Sequence, residues 1–260
     1  HDIEQFEYLA SKDCETNKFI SLAALYKKVA SEIKWPSSDT QLIVLSKRHQ
    51  DLLKGIYNCL IHKSDAPRLS NEVINSSLDL DKITSNYLNH EHGLACIDNF
   101  LSPAALASLR KFLLESTIWF DIMQNGYLGA YIAEGLASPL LFQIVEELRK
   151  KFPRILKDHP LNQILAYKYD SRAKNKNSSL GGVNVHADYA AVNVNLWITA
   201  KDANLNPNSG GLVLYDVEAP KDWDFIHSNN NVNKIREELK RSKGNTKVIP
   251  HNENRAVIFN

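Results

Sequence analysis

Residues 183–199 read VNVHADYAAVNVNLWIT, and they place a His-x-Asp pair just before a run of alternating residues. Successive side chains of an extended chain point to opposite faces, so residues two apart share a face. The imidazole of His186 and the carboxylate of Asp188 can therefore converge on one ion. An imidazole beside a hard oxygen ligand suits a divalent first-row metal. The spacing predicts a pair of metal ligands.

The residues that follow strengthen this interpretation. From 192 to 199, apolar side chains alternate with polar side chains and one indole: Val192, Val194, Leu196 and Ile198 against Asn193, Asn195, Trp197 and Thr199. This alternation predicts a strand with one apolar face. Polar groups that line an interior are what a ligand pocket requires. The pattern favours a site over the alternative of two solvated loop residues.

Together with 208–220, NSGGLVLYDVEAP, and 254–260, NRAVIFN, this stretch resembles the 2-oxoglutarate- and Fe(II)-dependent dioxygenases, on the prolyl-hydroxylase-like side. The resemblance covers about residues 94–260. It implies a double-stranded β-helix (jelly roll) backed by helices. It also implies an enzyme that takes Fe(II), 2-oxoglutarate and O2, and hydroxylates a substrate while releasing succinate and CO2. The substrate can be a protein, a peptide or a small molecule.

The resemblance assigns roles to residues as well. His186 and Asp188 become the catalytic metal ligands, and one further His completes the triad. A Tyr that hydrogen-bonds 2-oxoglutarate is expected on the preceding strand. Tyr169 matches best and Tyr167 second, but the two share parity and the pattern does not choose between them. Asn195 is the best candidate for a hydrogen bond to 2-oxoglutarate, and Trp197 for a pocket wall. The alternative is a structural amide and a core indole.

Two expected residues are missing from this sequence. In the resembled family, the second His follows the strand that matches RAVIF, and a basic residue that grips 2-oxoglutarate lies further on. The sequence stops at Asn260, before both, so we expect a piece of a longer protein. His251 precedes that strand, and we predict that it is not a metal ligand. Arg255 is interpreted as structural.

Two other classes of function stay open. The chain could be a jelly-roll binding module, for a sugar or a peptide, without a working metal site. It could also be a cupin-like metal protein that does not use 2-oxoglutarate. Folds of this kind host many functions. A His and a basic residue soon after Asn260 would favour the dioxygenase.

Composition excludes several classes of protein. Hydrophobic residues make up 43% of the 260 residues and charged residues 23%, which is an ordinary globular composition. The net charge of +1 predicts no general attraction to nucleic acid or to an anionic membrane. No apolar stretch is long enough to span a bilayer. Cys14, Cys59 and Cys96 are few and far apart, so we expect a reducing, cytoplasmic setting.

The order of elements predicts an α+β protein in three regions. Residues 1–64 form an N-terminal helical segment, either a helical layer on the main domain or the tail of a helical repeat array, with a break at 35–38 and a second helix from 39 to 60. Residues 65–93 form a polar connector. Residues 94–260 form the oxygenase domain, incomplete at its C-terminus. Within that domain we predict helices from Ser102-Pro103, from Ser138-Pro139 to Lys151 and within 229–244. The predicted strands are 94–97, 127–132, 164–169, 192–199, 212–215, 248–250 and 255–259, with 212–215 in a hairpin with the strand that ends near Thr199.

Overall fold

The structure, a computed structural model, describes residues 1–37, 43–123, 126–169, 183–188, 190–205, 210–229 and 231–260. Its helices are α1 (Asp2–Ser11), α2 (Thr16–Glu32), α3 (Lys47–Leu52), α4 (Leu80–Asn89), α5 (Pro103–Glu115), α6 (Pro139–Lys151), α7 (Pro153–Leu156), α8 (Phe225–Asn229) and α9 (Val232–Ser242). Its strands are β1 (Leu94–Ile97), β2 (Asp121–Ile122), β3 (Tyr127–Tyr131), β4 (Leu165–Tyr169), β5 (Asn193–Leu196), β6 (Leu212–Tyr215), β7 (Thr246–Ile249) and β8 (Ala256–Phe259).

The chain forms two compact units, and each unit combines three segments. Unit 1 comprises His1–Ala66, Lys111–Ala137 and Ile164–Leu180, and unit 2 comprises Pro67–Arg110, Ser138–Gln163 and Gly181–Asn260. Parts of the predicted oxygenase domain thus group with the N-terminal helices. The three consecutive regions drawn from the sequence stay a prediction.

Unit 1 is built on a pair of helices. The aromatic rings of Phe6 on α1 and of Phe19 and Tyr26 on α2 pack together, with Phe6 and Tyr26 edge to face at 5.1 Å between ring centroids. Leu53, directly after α3, is buried in the same cluster. The unit also contains an antiparallel sheet in the order β2-β3-β4. The helical character predicted for the N-terminal segment is confirmed for α1 and α2.

Unit 2 contains two antiparallel sheets. The first has the order β1-β8-β5, and the second pairs β6 with β7. In the first sheet, Val194 and Leu196 pair with the buried residues Ile258 and Ala256, while Asn193 and Asn195 belong to the opposite face. The alternation predicted for this strand is confirmed. Leu94, Ile249 and Val257 form a buried cluster on the asparagine face, against which Trp197, Leu212, Leu214 and Phe259 pack.

The helix starts that were predicted from serine–proline pairs are confirmed. The Ser138 hydroxyl accepts a hydrogen bond from the Leu141 amide at 3.3 Å, and Pro139 occupies the first helical position. A proline costs nothing there because its missing N–H would have no partner in the helix. The helix ends at Lys151 as predicted. Helix α5 begins at Pro103 in the same way, with Ser102 before it.

Two local predictions are wrong, and one helix, α4, was not predicted. Of the helix expected over 39–60, the described part holds only Lys47–Leu52. The polar segment interpreted as a connector contains α4, whose first turn is capped by the Asp79 carboxylate accepting the Lys82 amide at 2.9 Å. Strand β6 forms no hairpin with the strand near Thr199, because its partner is β7 and β5 pairs with β8.

The α+β class is confirmed, and the jelly roll is not. Across the described ranges, the strands form two sheets of three strands and one of two, and these do not close into a barrel. None of the helices in that part of the chain is both long enough and apolar enough to cross a membrane.

Candidate metal centre

His186 and Asp188 converge, although the segment that carries them is not a strand. Residues 183–188 have no regular secondary structure, and β5 begins only at Asn193. The Nε2 atom of His186 nevertheless lies 3.2 Å from the Asp188 carboxylate. Both side chains keep contact with solvent, at 29% exposure for the imidazole and 43% for the carboxylate. The two-residue spacing therefore predicted correctly that the two side chains meet, although no strand forms at residues 183–188.

Hydrogen bonds determine which nitrogen of His186 faces the carboxylate. The Nδ1 atom lies 2.7 Å from the carbonyl oxygen of Asn184, and a carbonyl can only accept, so Nδ1 carries a proton. Nε2 is then left for Asp188. A carboxylate also only accepts, so the Nε2 contact is a hydrogen bond when the ring is protonated. This bond to Asp188 raises the pKa of His186, partial burial opposes the rise, and the Asn184 carbonyl adds to it.

The short helix α8 fixes the backbone between the two side chains. The Ala187 amide donates to the Ser228 carbonyl at 2.9 Å, and the Asn229 side chain donates to the Ala187 carbonyl at 3.2 Å. Ser228 is itself buried, and its hydroxyl and amide both donate to the Asp224 carbonyl. We did not identify Ser228 or Asn229 from the sequence, because nothing in a polar run signals a partner some 40 residues earlier.

No protein-family model, curated protein or solved structure matches this chain. The chemistry of the pair therefore has to be inferred from its own geometry. With Nδ1 protonated, Nε2 offers a lone pair to a metal, and a backbone carbonyl on Nδ1 is a common support for a metal-binding histidine. The pair can hold a proton between its two atoms, or a divalent cation in place of that proton.

No third ligand joins the pair in the described part of the chain. There, His186 and Asp188 form no close group with a further His, Cys, Asp or Glu, and His251 does not complete one. The Nε2 atom of His251 is buried, and the described residues offer it no hydrogen-bond partner. The prediction that the second His lies outside this sequence stays a prediction.

Trp197 has a structural role in the observed arrangement. Its indole N–H donates to the Gly210 carbonyl at 2.9 Å, and its ring packs on the cluster of Leu94, Ile249 and Val257. Its amide and carbonyl continue the ladder between β5 and β8 through Arg255 and Asn254. These contacts are structural, and the role of Trp197 as a pocket wall stays a prediction.

Asn195 is exposed on the sheet face that it shares with Trp197. Arg255, by contrast, is committed to structure. Its guanidinium donates to the Asp98 carboxylate at 2.7 and 2.9 Å and to the Pro250 carbonyl at 2.8 Å. The two hydrogen bonds from Arg255 lower the pKa of Asp98. Asn195 thus keeps a position from which it can reach a ligand, and Arg255 keeps the structural role predicted for it.

Tyr167 and Tyr169 belong to unit 1, whereas His186, Asp188 and Asn195 belong to unit 2. On β4, the two tyrosines lie on one face with Tyr127 of the neighbouring strand. Tyr127 stacks on Tyr169 and meets Tyr167 edge to face, each at 5.1 Å between ring centroids. Tyr169 is the more exposed, at 51% against 36% for Tyr167. The parity argument is confirmed, and a bond to 2-oxoglutarate stays a prediction for both.

Proposed function

We propose that this chain acts as an Fe(II)- and 2-oxoglutarate-dependent dioxygenase that hydroxylates a protein, a peptide or a small molecule. The observation that carries the proposal is the contact between His186 Nε2 and the Asp188 carboxylate, with Nδ1 anchored on Asn184. One imidazole and one carboxylate are two of the three ligands of the facial triad that non-haem Fe(II) oxygenases use. The sequence resemblance of residues 183–199, 208–220 and 254–260 to that family supports the same conclusion.

The pair fits one metal ion. Metal–ligand bonds of about 2.1 Å put neighbouring ligand atoms about 3.0 Å apart in an octahedron and about 3.4 Å apart in a tetrahedron. The observed separation of 3.2 Å lies between these values. One ion can therefore bind Nε2 and the carboxylate oxygen with movements of a few tenths of an ångström.

Several residues of the chain favour a metal ion between Nε2 of His186 and the Asp188 carboxylate. Asn184 holds the ring by Nδ1, so that Nε2 faces the Asp188 carboxylate and its lone pair is available to a metal when it carries no proton. Asp188 supplies a negative charge that favours a cation in that position. Residues Ser228 and Asn229 hold the peptide between the two ligands in place. Fe(II), when bound with 2-oxoglutarate, supplies the activation of O2 that couples decarboxylation to hydroxylation.

The remaining site assignments are part of the proposal. Asn195 is exposed on the polar face of β5, and an amide there can donate to a carboxylate of 2-oxoglutarate. Tyr169 is proposed ahead of Tyr167, since its side chain is the more exposed of the two. A cytoplasmic setting is proposed because all three cysteines are free thiols. The proposed partners are O2, 2-oxoglutarate and the substrate, without nucleic acid.

The test is production of succinate by the purified protein. With Fe(II) and 2-oxoglutarate, the protein should release succinate. It should do so slowly even when the substrate that it hydroxylates is absent. Asp188→Ala should reduce this to the level of a metal-free control, because a facial triad cannot lose its carboxylate. Asp222→Ala is the matched control: it removes an exposed carboxylate of the same unit that, in the part of the chain that the structure describes, forms no group of ligand atoms with the pair, and it should keep the activity.

Two results would count against the proposal. The first is succinate that never exceeds the metal-free control, together with no binding of 2-oxoglutarate in calorimetry. The second is full turnover by Asp188→Ala, which would remove Asp188 from the site. If succinate stays at the control level and 2-oxoglutarate does not bind, but a divalent metal still binds at His186, the result would favour a metal protein that does not use 2-oxoglutarate.

A further inference from the structure

A second group of potential metal ligands lies in unit 1 and shares no residue with the proposed active site. Cys14 and Glu15 are neighbours in the turn between α1 and α2, and His62 follows α3 along the chain. The Cys14 sulfur lies 3.5 Å from Nε2 of His62 and 3.7 Å from Nδ1. The Glu15 carboxylate lies 3.9 Å from the same Nδ1 atom. Within the described ranges, this is the group of three ligand-type side chains whose ligand atoms all lie within 4.8 Å of one another.

These separations become those of a tetrahedral thiolate site after rotations of the Cys14 and Glu15 side chains. Bonds of about 2.3 Å from Zn²⁺ to sulfur and about 2.1 Å to nitrogen or oxygen put sulfur and nitrogen about 3.6 Å apart, and nitrogen and oxygen about 3.4 Å apart. The Cys14 sulfur lies 3.7 Å from Nδ1 and 3.5 Å from Nε2, so it faces the ring between the two nitrogens, and the Cys14 side chain has to turn toward the Nδ1 lone pair for both atoms to bind one ion. The nitrogen–oxygen distance of 3.9 Å requires the exposed Glu15 side chain to move inward by about half an ångström, well within its rotamer freedom.

The fold holds the histidine in position before any ion binds. The Thr117 hydroxyl accepts the amides of Ile61 and His62, each at 2.9 Å, and the Thr117 amide donates to the His62 carbonyl at 2.9 Å. The ring of Phe19 meets the imidazole edge to face at 5.8 Å between centroids. The backbone at His62 is therefore fixed, and Phe19 packs against its ring.

The turn that carries the other two ligands has an uncommon backbone. Asp13 and Glu15 both have positive φ, at 55° and 42°. Glutamate seldom adopts this conformation, which brings its side chain and that of Cys14 to the same side as His62. A glutamate in that conformation persists only where its surroundings determine it.

One cation already pairs with the carboxylate. The Lys18 ammonium lies 2.8 Å from the Glu15 carboxylate, with both side chains well exposed. An exposed ion pair of this kind contributes little and is easily exchanged. Lys18 can therefore turn to solvent when a divalent ion takes its place, and its position shows that this carboxylate attracts a cation.

We propose that Cys14, Glu15 and His62 bind a thiophilic divalent cation, Zn²⁺ by the chemistry of the ligands. The Cys14 thiol loses its proton to solvent on binding, and the thiolate, the Nδ1 lone pair and one carboxylate oxygen coordinate the ion. Three protein ligands leave the fourth position to water. The ion fastens the α1–α2 turn to the segment around His62, and so joins residues that are 48 positions apart. The site is independent of the proposed dioxygenase chemistry.

The test is a titration of the metal-free 260-residue chain with Co²⁺, followed by displacement with Zn²⁺. Wild-type protein should develop a thiolate-to-cobalt charge-transfer absorption with one equivalent, and Zn²⁺ should abolish it. Cys14→Ser should lose the band. His62→Gln should keep the thiolate and weaken binding at least about tenfold. Cys59→Ser removes a partly exposed thiol of the same unit that lies outside the group, and should behave as wild type.

The readout separates this site from the proposed active site. Coordination by His186 and Asp188 involves no thiolate, so Asp188→Ala should leave the charge-transfer band unchanged. The proposal is overturned if wild-type protein shows no such band with Co²⁺, or if the band survives in Cys14→Ser or His62→Gln with unchanged affinity. Should Cys14→Ser fail to fold, the wild-type spectrum and His62→Gln still decide.

Discussion

At the scale of single residues, the contact between His186 and Asp188 can be tested through the pKa of the His186 ring. The hydrogen bond to Asp188 raises the pKa of His186 above the ordinary 6.5. The folded state therefore binds a proton more tightly than the unfolded state does. The stabilisation from this bond is fully present below about pH 6.5 and is lost as the pH rises through the raised pKa.

The first prediction follows from that shift. In metal-free protein, the NMR titration of the His186 ring should report a pKa above about 6.5. Asp188→Asn should lower it, because the amide keeps the shape of the carboxylate and removes the charge that favours the imidazolium. Affinity for a divalent metal should increase as the pH rises through the same range, since metal and proton compete for Nε2.

The matched control is Asp222→Asn, which alters an exposed carboxylate of the same unit outside the pair. It should leave the titration of His186 unchanged. An identical pKa for His186 in wild type and in Asp188→Asn would show that the contact between the two side chains does not form in solution.

At the scale of elements, helix α6 carries two neighbouring glutamates, of which one binds backbone amides and the other forms an ion pair. The Glu147 carboxylate accepts hydrogen bonds from the Val73 amide at 2.9 Å and the Ile74 amide at 3.1 Å. Both of these residues are fully buried. Glu146 forms an exposed ion pair with Arg68, 2.6 Å at its closest. The first carboxylate satisfies buried backbone, and the second stays on the surface.

We therefore predict unequal effects on stability. Glu147→Ala should lower the free energy of unfolding by about 3 kcal/mol, because it leaves two buried amides without an acceptor. Glu147→Gln should lower it less, since one side-chain oxygen remains. Glu146→Ala is the control and should change stability little, as exposed ion pairs contribute little. Urea-induced unfolding measures all three, and equal losses from Glu146→Ala and Glu147→Ala would contradict this division.

Which elements the sequence predicts depends on the range of the interactions that form them. The helices that begin at Pro103 and Pro139 follow from a cap and a proline within one turn, so local sequence predicts them. The pairing of β6 with β7 joins strands that are separated by α8 and α9, and alternation alone does not reveal the partner. Helix α4 escaped prediction because its composition is polar, and its buried side chains are only Thr84 and Tyr87.

At the scale of the whole molecule, the chain is assembled from segments that are far apart in sequence. Each unit draws on three segments, and a reading in chain order cannot group them. The candidate metal centre has the same character. Its ligands follow from a two-residue spacing, whereas its support by Ser228 and Asn229 comes from 40 residues away. The Cys14–Glu15–His62 group likewise depends on a contact that no local pattern in the sequence indicates.

In unit 2, the side chain and backbone of Asn254 form hydrogen bonds to residues that are far away in sequence. Its side chain accepts from the Leu101 amide at 2.8 Å and donates to the Leu101 carbonyl at 2.9 Å, across 153 positions. Its own amide donates to the Trp197 carbonyl, and its carbonyl accepts from the Phe100 amide, each at 2.9 Å. The backbone at Asn254 has a φ of 56°, which asparagine tolerates better than most residues. One residue thus joins the ends of β5 and β8 to the segment before α5.

The final prediction tests these hydrogen bonds. Asn254→Ala should lower the free energy of unfolding by about 3 kcal/mol, because it leaves two buried backbone groups of Leu101 unpaired and because alanine tolerates the left-handed conformation less well than asparagine. Asn254→Gly loses the same hydrogen bonds without the conformational strain, so it should be more stable than the alanine variant by about 1 kcal/mol. Asn252→Ala is the control two positions away. Its amide donates to Asp98 at the exposed surface, and its loss should cost less than about 1 kcal/mol. Urea denaturation followed by far-ultraviolet circular dichroism gives the comparison, and a glycine variant no more stable than the alanine variant would remove the conformational part of the argument.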